Sequence, residues 1–223
     1  DVANYTITNQ SSTTANITAK ALTATASASN KVYDGNTTAS VTLTFSGLVG
    51  SETLGQSVGA TFADQNVDTG ISVTVNTITL SDGDNGGLAS NYTISTGQTT
   101  TANITQLSSV TWNGNAGDGL WSSANNWAGS AIPDQNNVAA VVIPSAVSVT
   151  FDSDTVGTIG STITNNGTLT FNGATDYTFG QVISGSGALV KTNTNILTLN
   201  ATNTYSGNTT ISAGTIKLTG SVN

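Results

Sequence analysis

The chain has 223 residues and a formal net charge of -8 from 12 acidic and 4 basic side chains, with no Cys, His or Met. Thiolate and imidazole metal sites are therefore excluded, as are Ser-His-Asp and Cys-His catalysis. The cations Lys20, Lys31, Lys191 and Lys217 are scattered, so no basic patch exists to neutralise nucleic-acid phosphates or to hold an anionic membrane surface.

Charged residues make up only 7% of the chain and hydrophobic ones 36%, with 2 prolines. Thr, Ser, Asn and Gly supply the remainder. Thr and Val favour strands, and Asn and Gly favour the corners between them, so the composition reads as an all-β fold of many short strands. No apolar run is long enough to span a bilayer, and no signal peptide is visible. Because the chain starts in mid-pattern, an export signal is expected upstream.

The first organising feature is an internal repeat. Asn4-Tyr5-Thr6-Ile7 recurs as Asn91-Tyr92-Thr93-Ile94, and Thr13-Thr14-Ala15-Asn16-Ile17-Thr18 recurs without a gap as Thr100-Thr101-Ala102-Asn103-Ile104-Thr105. Residues 1–19 thus read as the last two strands of one repeat, and residues 20–106 as the next full repeat of a tandem array. Within it, Val41, Leu43 and Phe45 alternate with polar residues, as do Ile71, Val73 and Val75. This is the period of a half-buried strand. The alternation shifts phase at Asn76-Thr77 before Ile78 and Leu80, which predicts a bulge or short turn. Turn signals fall at Asp34-Gly35-Asn36, Gly47, Gly50 and Asp82-Gly83-Asp84-Asn85-Gly86-Gly87. The expectation is a small antiparallel β-sandwich.

Lys31-Val32-Tyr33-Asp34-Gly35-Asn36-Thr37-Thr38-Ala39 resembles the signature of the YDG repeat of giant haemagglutinin-like bacterial adhesins. Phe62-Ala63-Asp64-Gln65-Asn66-Val67-Asp68-Thr69-Gly70 and the Asn91-to-Thr105 ending follow in the same order. The resemblance implies a surface-exposed tandem module without catalytic residues. Tyr33-Asp34-Gly35 itself reads as structural, an Asp-Gly turn beside a packed tyrosine.

Residues 107–145 differ in character. All three tryptophans, Trp112, Trp121 and Trp127, fall here, followed by Ile132-Pro133 and the apolar run 138–143. This pattern resembles the segment that precedes β-helices in autotransporter passengers. Over 146–223, short apolar-alternating strands are separated by Gly and Asn corners, at roughly two dozen residues per turn, as in a parallel solenoid. Residues 185–219, with Leu197-Thr198-Leu199-Asn200, Asn203-Thr204-Tyr205-Ser206-Gly207-Asn208 and Ala213-Gly214-Thr215-Ile216, resemble the autotransporter-associated β-strand repeat. That resemblance implies a right-handed parallel β-helix whose rungs are expected to continue beyond the chain.

Trp112, Trp121 and Trp127 could form a sugar-stacking platform, or a compact core capping the first rung. Asp82 with Asp84, and Asp152 with Asp154, could offer oxygens to Ca²⁺. Turn formation accounts for both pairs without metal, and no cofactor is expected. The solenoid half holds Asp152, Asp154 and Asp176 but no Glu, Arg or His, a poor set for glycosidase or lyase chemistry. Asn-X-Ser/Thr sequons at Asn4, Asn16, Asn36, Asn91, Asn103, Asn166 and Asn208 follow from the Asn- and Thr-rich composition. The expected function is a non-enzymatic segment of a secreted, cell-surface protein: an adhesin stalk or adhesive module, a self-assembling fibre, sheath or surface-layer subunit, or a carbohydrate-binding module. Expected partners are neighbouring repeats, copies of itself, and host or environmental glycans, with no nucleic acid and no membrane insertion.

Overall fold

A computed structural model describes residues 2–6, 12–134, 136–152 and 162–222. The chain is all-β, with four single-turn 3₁₀ segments among the described residues. The sandwich contains β1 (Lys20–Ala21), β2 (Thr23–Ala28), β3 (Lys31–Val32), β4 (Thr38–Ala39), β5 (Val41–Ser46), β6 (Leu54–Phe62), β7 (Asp68–Asp82), β8 (Tyr92–Thr93) and β9 (Thr99–Thr105). One sheet has the order β3-β9-β7-β6-β4, and β2 pairs with β5 across from it. These pairings are antiparallel except β3 with β9; β1 and β8 form a second short parallel ladder. The alternation read from sequence places Leu43, Ile71, Val73 and Val75 inside, with Phe62, Ala102 and Ile104.

The phase shift after Val75 is a β-bulge. Gly59 pairs with Thr77 and Ala60 with Val75, leaving Asn76 as the extra residue. Asn76 turns its amide to Thr61 Oγ1 at 3.0 Å. A second device caps the outer edge of β5 at Leu43. The Gln56 side chain on β6 takes the Leu43 N–H on its Oε1 (3.2 Å) and gives its Nε2–H to the Leu43 carbonyl (2.7 Å). The amide thus stands where a neighbouring strand's peptide would be, and no backbone group of Leu43 is left unmade.

The second half comprises β10 (Val110–Thr111), β11 (Ala140–Ile143), β12 (Ser148–Phe151), β13 (Thr162–Asn165), β14 (Thr168–Phe171), β15 (Tyr177–Phe179), β16 (Ile183–Ser184), β17 (Ala188–Lys191), β18 (Ile196–Leu199), β19 (Thr209–Ile211) and β20 (Thr215–Leu218). They form three all-parallel stacks, β10-β11-β13-β16, β12-β14-β17-β19 and β15-β18-β20, a solenoid of about four turns. Val149 pairs with Leu169, Leu169 with Leu189, and Leu189 with Thr209, so a rung of this stack takes 20 residues, while Val141 to Ile163 takes 22 and Leu197 to Ile216 takes 19. The rungs are a little shorter than the two dozen expected, and their spacing is not uniform. Parallel pairing starts already at Leu107 with Val138 and Val110 with Val141, so the tryptophan segment is itself the solenoid's first, partial rung.

Stacking by identical offsets makes each corner answer to the corner beneath it. Gly167, Gly187 and Gly207 form one such column. A Cβ on Gly187 would lie 2.2 Å from the Gly167 carbonyl oxygen, and one on Gly207 would lie 2.2 Å from that of Gly187. Only glycine lets the corners approach this closely. Buried Asn165 bonds the Ala188 carbonyl one rung on (2.9 Å), and Asn203 Oδ1 accepts from Ile183 N–H (2.9 Å). Inward asparagines therefore satisfy corner backbone that apolar residues would leave orphaned.

Sandwich and solenoid share one continuous buried cluster. At their junction Asn137, 2% exposed, accepts the Val67 N–H on Oδ1 (2.8 Å) and donates from Nδ2 to Asn66 Oδ1 (2.9 Å). Asp134 orients it by accepting from its backbone N–H (2.8 Å) and its Nδ2 (2.6 Å). Gly35 packs on the Ser130 carbonyl, where a Cβ would come to 3.1 Å.

Two outcomes follow from these contacts. Gly187→Ala should lower solenoid stability by about 1–3 kcal/mol through forced backbone displacement, read as a fall in thermal midpoint; an unchanged midpoint would mean that the column is slack. Asn137→Ala strands the Val67 N–H and should split one calorimetric transition into two as the halves uncouple, whereas a single unshifted transition would show the junction to be incidental.

Candidate functional site

The three tryptophans meet because chain reversals around them are fixed by polar side chains. Asp118 Oδ1 accepts the Leu120 N–H (2.9 Å) and the Asn126 amide (2.6 Å), while its Oδ2 takes the Ser123 hydroxyl. The Leu120 N–H, then the Ser123 hydroxyl and the Asn126 amide, hold the Asp118 carboxyl below the usual carboxylate range. Asn126, wholly buried, also bonds the Leu120 carbonyl (3.0 Å) and the Ala116 N–H (2.9 Å). Trp112 N–H donates to Val142 O (3.0 Å) and Trp121 N–H to Thr150 O (2.8 Å), which seats the segment on β11 and β12.

Trp112, Trp121 and Trp127 are 4%, 0% and 1% exposed. Trp127 lies edge-on to both others, with centroid separations of 4.9 and 4.7 Å, the arrangement that ring quadrupoles favour. Trp127 Nε1 donates to Trp121 O (2.8 Å) and Trp121 Nε1 to Pro133 O (3.4 Å). The aromatic contacts continue from Trp121 to Phe151, Phe171 and Phe179. Of the two arrangements left open for Trp112, Trp121 and Trp127, the structure has the compact core and not the sugar-stacking platform. A pyranose needs an open indole face, and these faces are spent on one another and on the first rung.

Among the described residues the carboxylate candidates Asp82 and Asp152 are engaged in local backbone and hydroxyl bonds. Asp82 Oδ1 accepts the Ala89 N–H at 2.8 Å. Asp84 uses its backbone, donating to Thr53 Oγ1 (2.7 Å) and accepting from Thr53 N–H (3.2 Å). The loop closes on itself through Gly83 N–H to Gly87 O (2.9 Å), with Asn85 at φ 57. Asp152 accepts both the Ser122 N–H (3.2 Å) and its hydroxyl (2.6 Å), tying the cap to β12. Asp154 lies outside the described residues. Among the described residues no three His, Cys, Asp or Glu side chains converge to hold a metal.

The Tyr33-Asp34-Gly35 turn is held by Lys31, whose Nζ bonds Asp34 Oδ1 (2.7 Å) and Asn36 O (2.6 Å) and lies 5.4 Å from the Phe62 ring centroid. Burial alone would raise the Asp34 carboxyl, but Lys31 and the Asn36 N–H together hold it below its usual range. Tyr33 is buried beside the cap, and its phenol is pushed up by burial, then by Asp134 and Asp34. Sequence reasoning missed Asn137, Asp118 and Asn126. Each makes bonds that depend on where the chain returns, and only the density of Asn and Asp near the tryptophans hinted at them.

Burial of the indoles carries a direct expectation. Emission of the native chain should be blue-shifted and resist acrylamide, and Trp121→Ala should cost about 3–5 kcal/mol. Red-shifted, freely quenched emission would contradict the interior placement.

A family model described as the YDG domain matches residues 18–102, and one described as the passenger-associated-transport-repeat matches residues 189–218. No curated protein and no solved structure matches the chain significantly. The sandwich is thus similar to a YDG domain, and the later rungs of the solenoid are similar to repeats of transported passengers.

Proposed function

We propose that the chain is a non-catalytic segment of a secreted bacterial surface protein, serving as a stalk or adhesive module. The observation that carries this reading is the buried cluster that runs from the sandwich through the tryptophan cap into the solenoid. One continuous core makes two modules a single stiff rod, which suits projection from a surface. The likeness to a YDG domain and to a passenger-associated repeat supports the same placement. The likeness of the later rungs to a passenger-associated repeat supports a structural or adhesive role, and the chain has no His, Cys or Arg. No helix among the described residues is long and apolar enough to cross a membrane. Weak contacts to glycans or to neighbouring repeats would gain strength through repetition.

A self-assembling fibre subunit is the second reading. It is supported by the low charge of the chain, 7% of residues, and by the all-parallel stacks of the solenoid. Parallel stacks of this kind suit a head-to-tail contact that does not close. Light scattering across concentrations, with electron microscopy of the same samples, separates the two. The stalk reading expects an elongated monomer throughout. Ordered polymers growing with concentration would transfer the function to the fibre reading, and a compact particle would overturn the stalk.

A further inference from the structure

The two copies of Thr-Thr-Ala-Asn-Ile-Thr lead into the same local pattern. Behind the second copy, Leu107 pairs in parallel with Val138. The residue before Val138 is Asn137, whose amide grips Asn66 and Val67 of the sandwich that the chain has just left. Behind the first copy, Lys20 stands to Thr18 as Leu107 stands to Thr105, and Lys20 pairs in parallel with Tyr92. The residue before Tyr92 is again an asparagine, Asn91. Both asparagines are tied by their backbone N–H to the residue three before them: Asn137 to the Asp134 carboxylate (2.8 Å) and Asn91 to the Leu88 carbonyl (3.0 Å).

The two differ in occupancy. Asn137 is buried with its amide fully engaged, whereas Asn91 is exposed and its side chain makes no hydrogen bond among the described residues. Asn91 lines an open pocket of about 380 Å³ together with Ile17, Thr18, Ala19 and Lys20. Ile17 is fully exposed, while its twin Ile104 is 1% exposed. The register around β9 shows what a copy of the sandwich would set beside these residues. Lys31 and Val32 pair with Ile104 and Thr105, Asp68 pairs with Ile104, and Tyr33 N–H donates to the Thr105 carbonyl (2.8 Å). With Ile17 and Thr18 in the roles of Ile104 and Thr105, the Tyr-Asp-Gly turn and the Asn66-Val67 loop of that copy come to lie at the pocket, beside Asn91.

We propose that this pocket seats a second copy of the sandwich, held by the Asn91 amide as Asn137 holds the first. Residues 12–18 serve as the β9 of that copy, and Ile17 enters its core as Ile104 enters its own. Asn91 Oδ1 accepts the copy's Val67 N–H, and Asn91 Nδ2 donates to the copy's Asn66 Oδ1. Seating the copy removes Ile17 and the half-exposed Val49 at the same pocket from water. It also satisfies a loop N–H that the closed joint would otherwise bury without a partner. A neutral amide makes the bond directional without a charge to desolvate, in keeping with a chain of which only 7% is charged. One residue type at one register position thus joins sandwich to sandwich and sandwich to solenoid. The joint does not depend on the stalk reading, since it concerns how two modules meet whatever the array carries.

The test places a copy of residues 20–87 ahead of the full chain, so that residues 1–19 follow it as residues 88–106 follow Gly87. Calorimetry should show the added sandwich melting together with the rest. Asn91→Ala should release it as a separate, earlier transition, and should leave the midpoint of the original 223-residue chain unshifted. The chain has no cysteine, so Asn91→Cys with Asn66→Cys in the added copy supplies one defined pair of thiols. A short bismaleimide should join them within a single molecule, as it should join Asn137→Cys to Asn66→Cys of the original copy. An added copy that stays unfolded would overturn the proposal, because residues 12–18 would then fail as a β9. So would a folded copy that the reagent does not link to position 91. Equal loss of midpoint in the original and extended chains on Asn91→Ala would do the same, by giving Asn91 its role inside its own sandwich.

Discussion

A parallel solenoid that simply began would present an apolar cross-section and a row of unpaired backbone groups at its first rung. The tryptophan segment answers both needs. Its backbone pairs in register with β11 and β12, and its three indoles fill the cross-section above Phe151. The same segment holds the sandwich, because Asn137, oriented by Asp134, reaches out from its far side to the loop at Asn66-Val67. Remove that plug and both halves lose a wall. Its polar scaffold, Asp118 with Asn126, serves the rings by fixing the reversals that bring them together.

Much of this was legible in the sequence where the signal is local. Strand alternation at 41–45 and 71–80, the slip at Asn76, and the Asp-Gly turn at Asp34 depend on near neighbours, and the structure follows them. Rung length was harder to see. A solenoid corner is marked by whichever of Gly, Asn or Ser fits, so counting corners overestimates the repeat, whereas the backbone register gives 20 residues along β12-β14-β17-β19, with steps of 22 and 19 in the other stacks. The indoles were readable as a cluster but not as interior or exterior, because that depends on what lies above and below. Asn137 was illegible for a related reason. A polar residue at a buried position is indistinguishable in sequence from one at the surface until its partners are placed.

The duplicated hexapeptide makes the point most directly. Thr-Thr-Ala-Asn-Ile-Thr at 100–105 lies in β9 between β3 and β7, with Ile104 1% exposed. The identical residues 13–18 carry no strand assignment, and Ile17 is fully exposed. The six side chains, their order and their intrinsic preferences are the same. In β9 it is the pairing with β3 and β7 that buries Ile104, a role no single segment supplies for itself.

The Gln56 amide has a consequence for how β5 can pair. A bare edge position offers its N–H and C=O to any strand that approaches. By occupying both groups of Leu43 with a side chain from the facing sheet, Gln56 withdraws that position from such pairing, and its length lets it do so without adding a residue to either sheet.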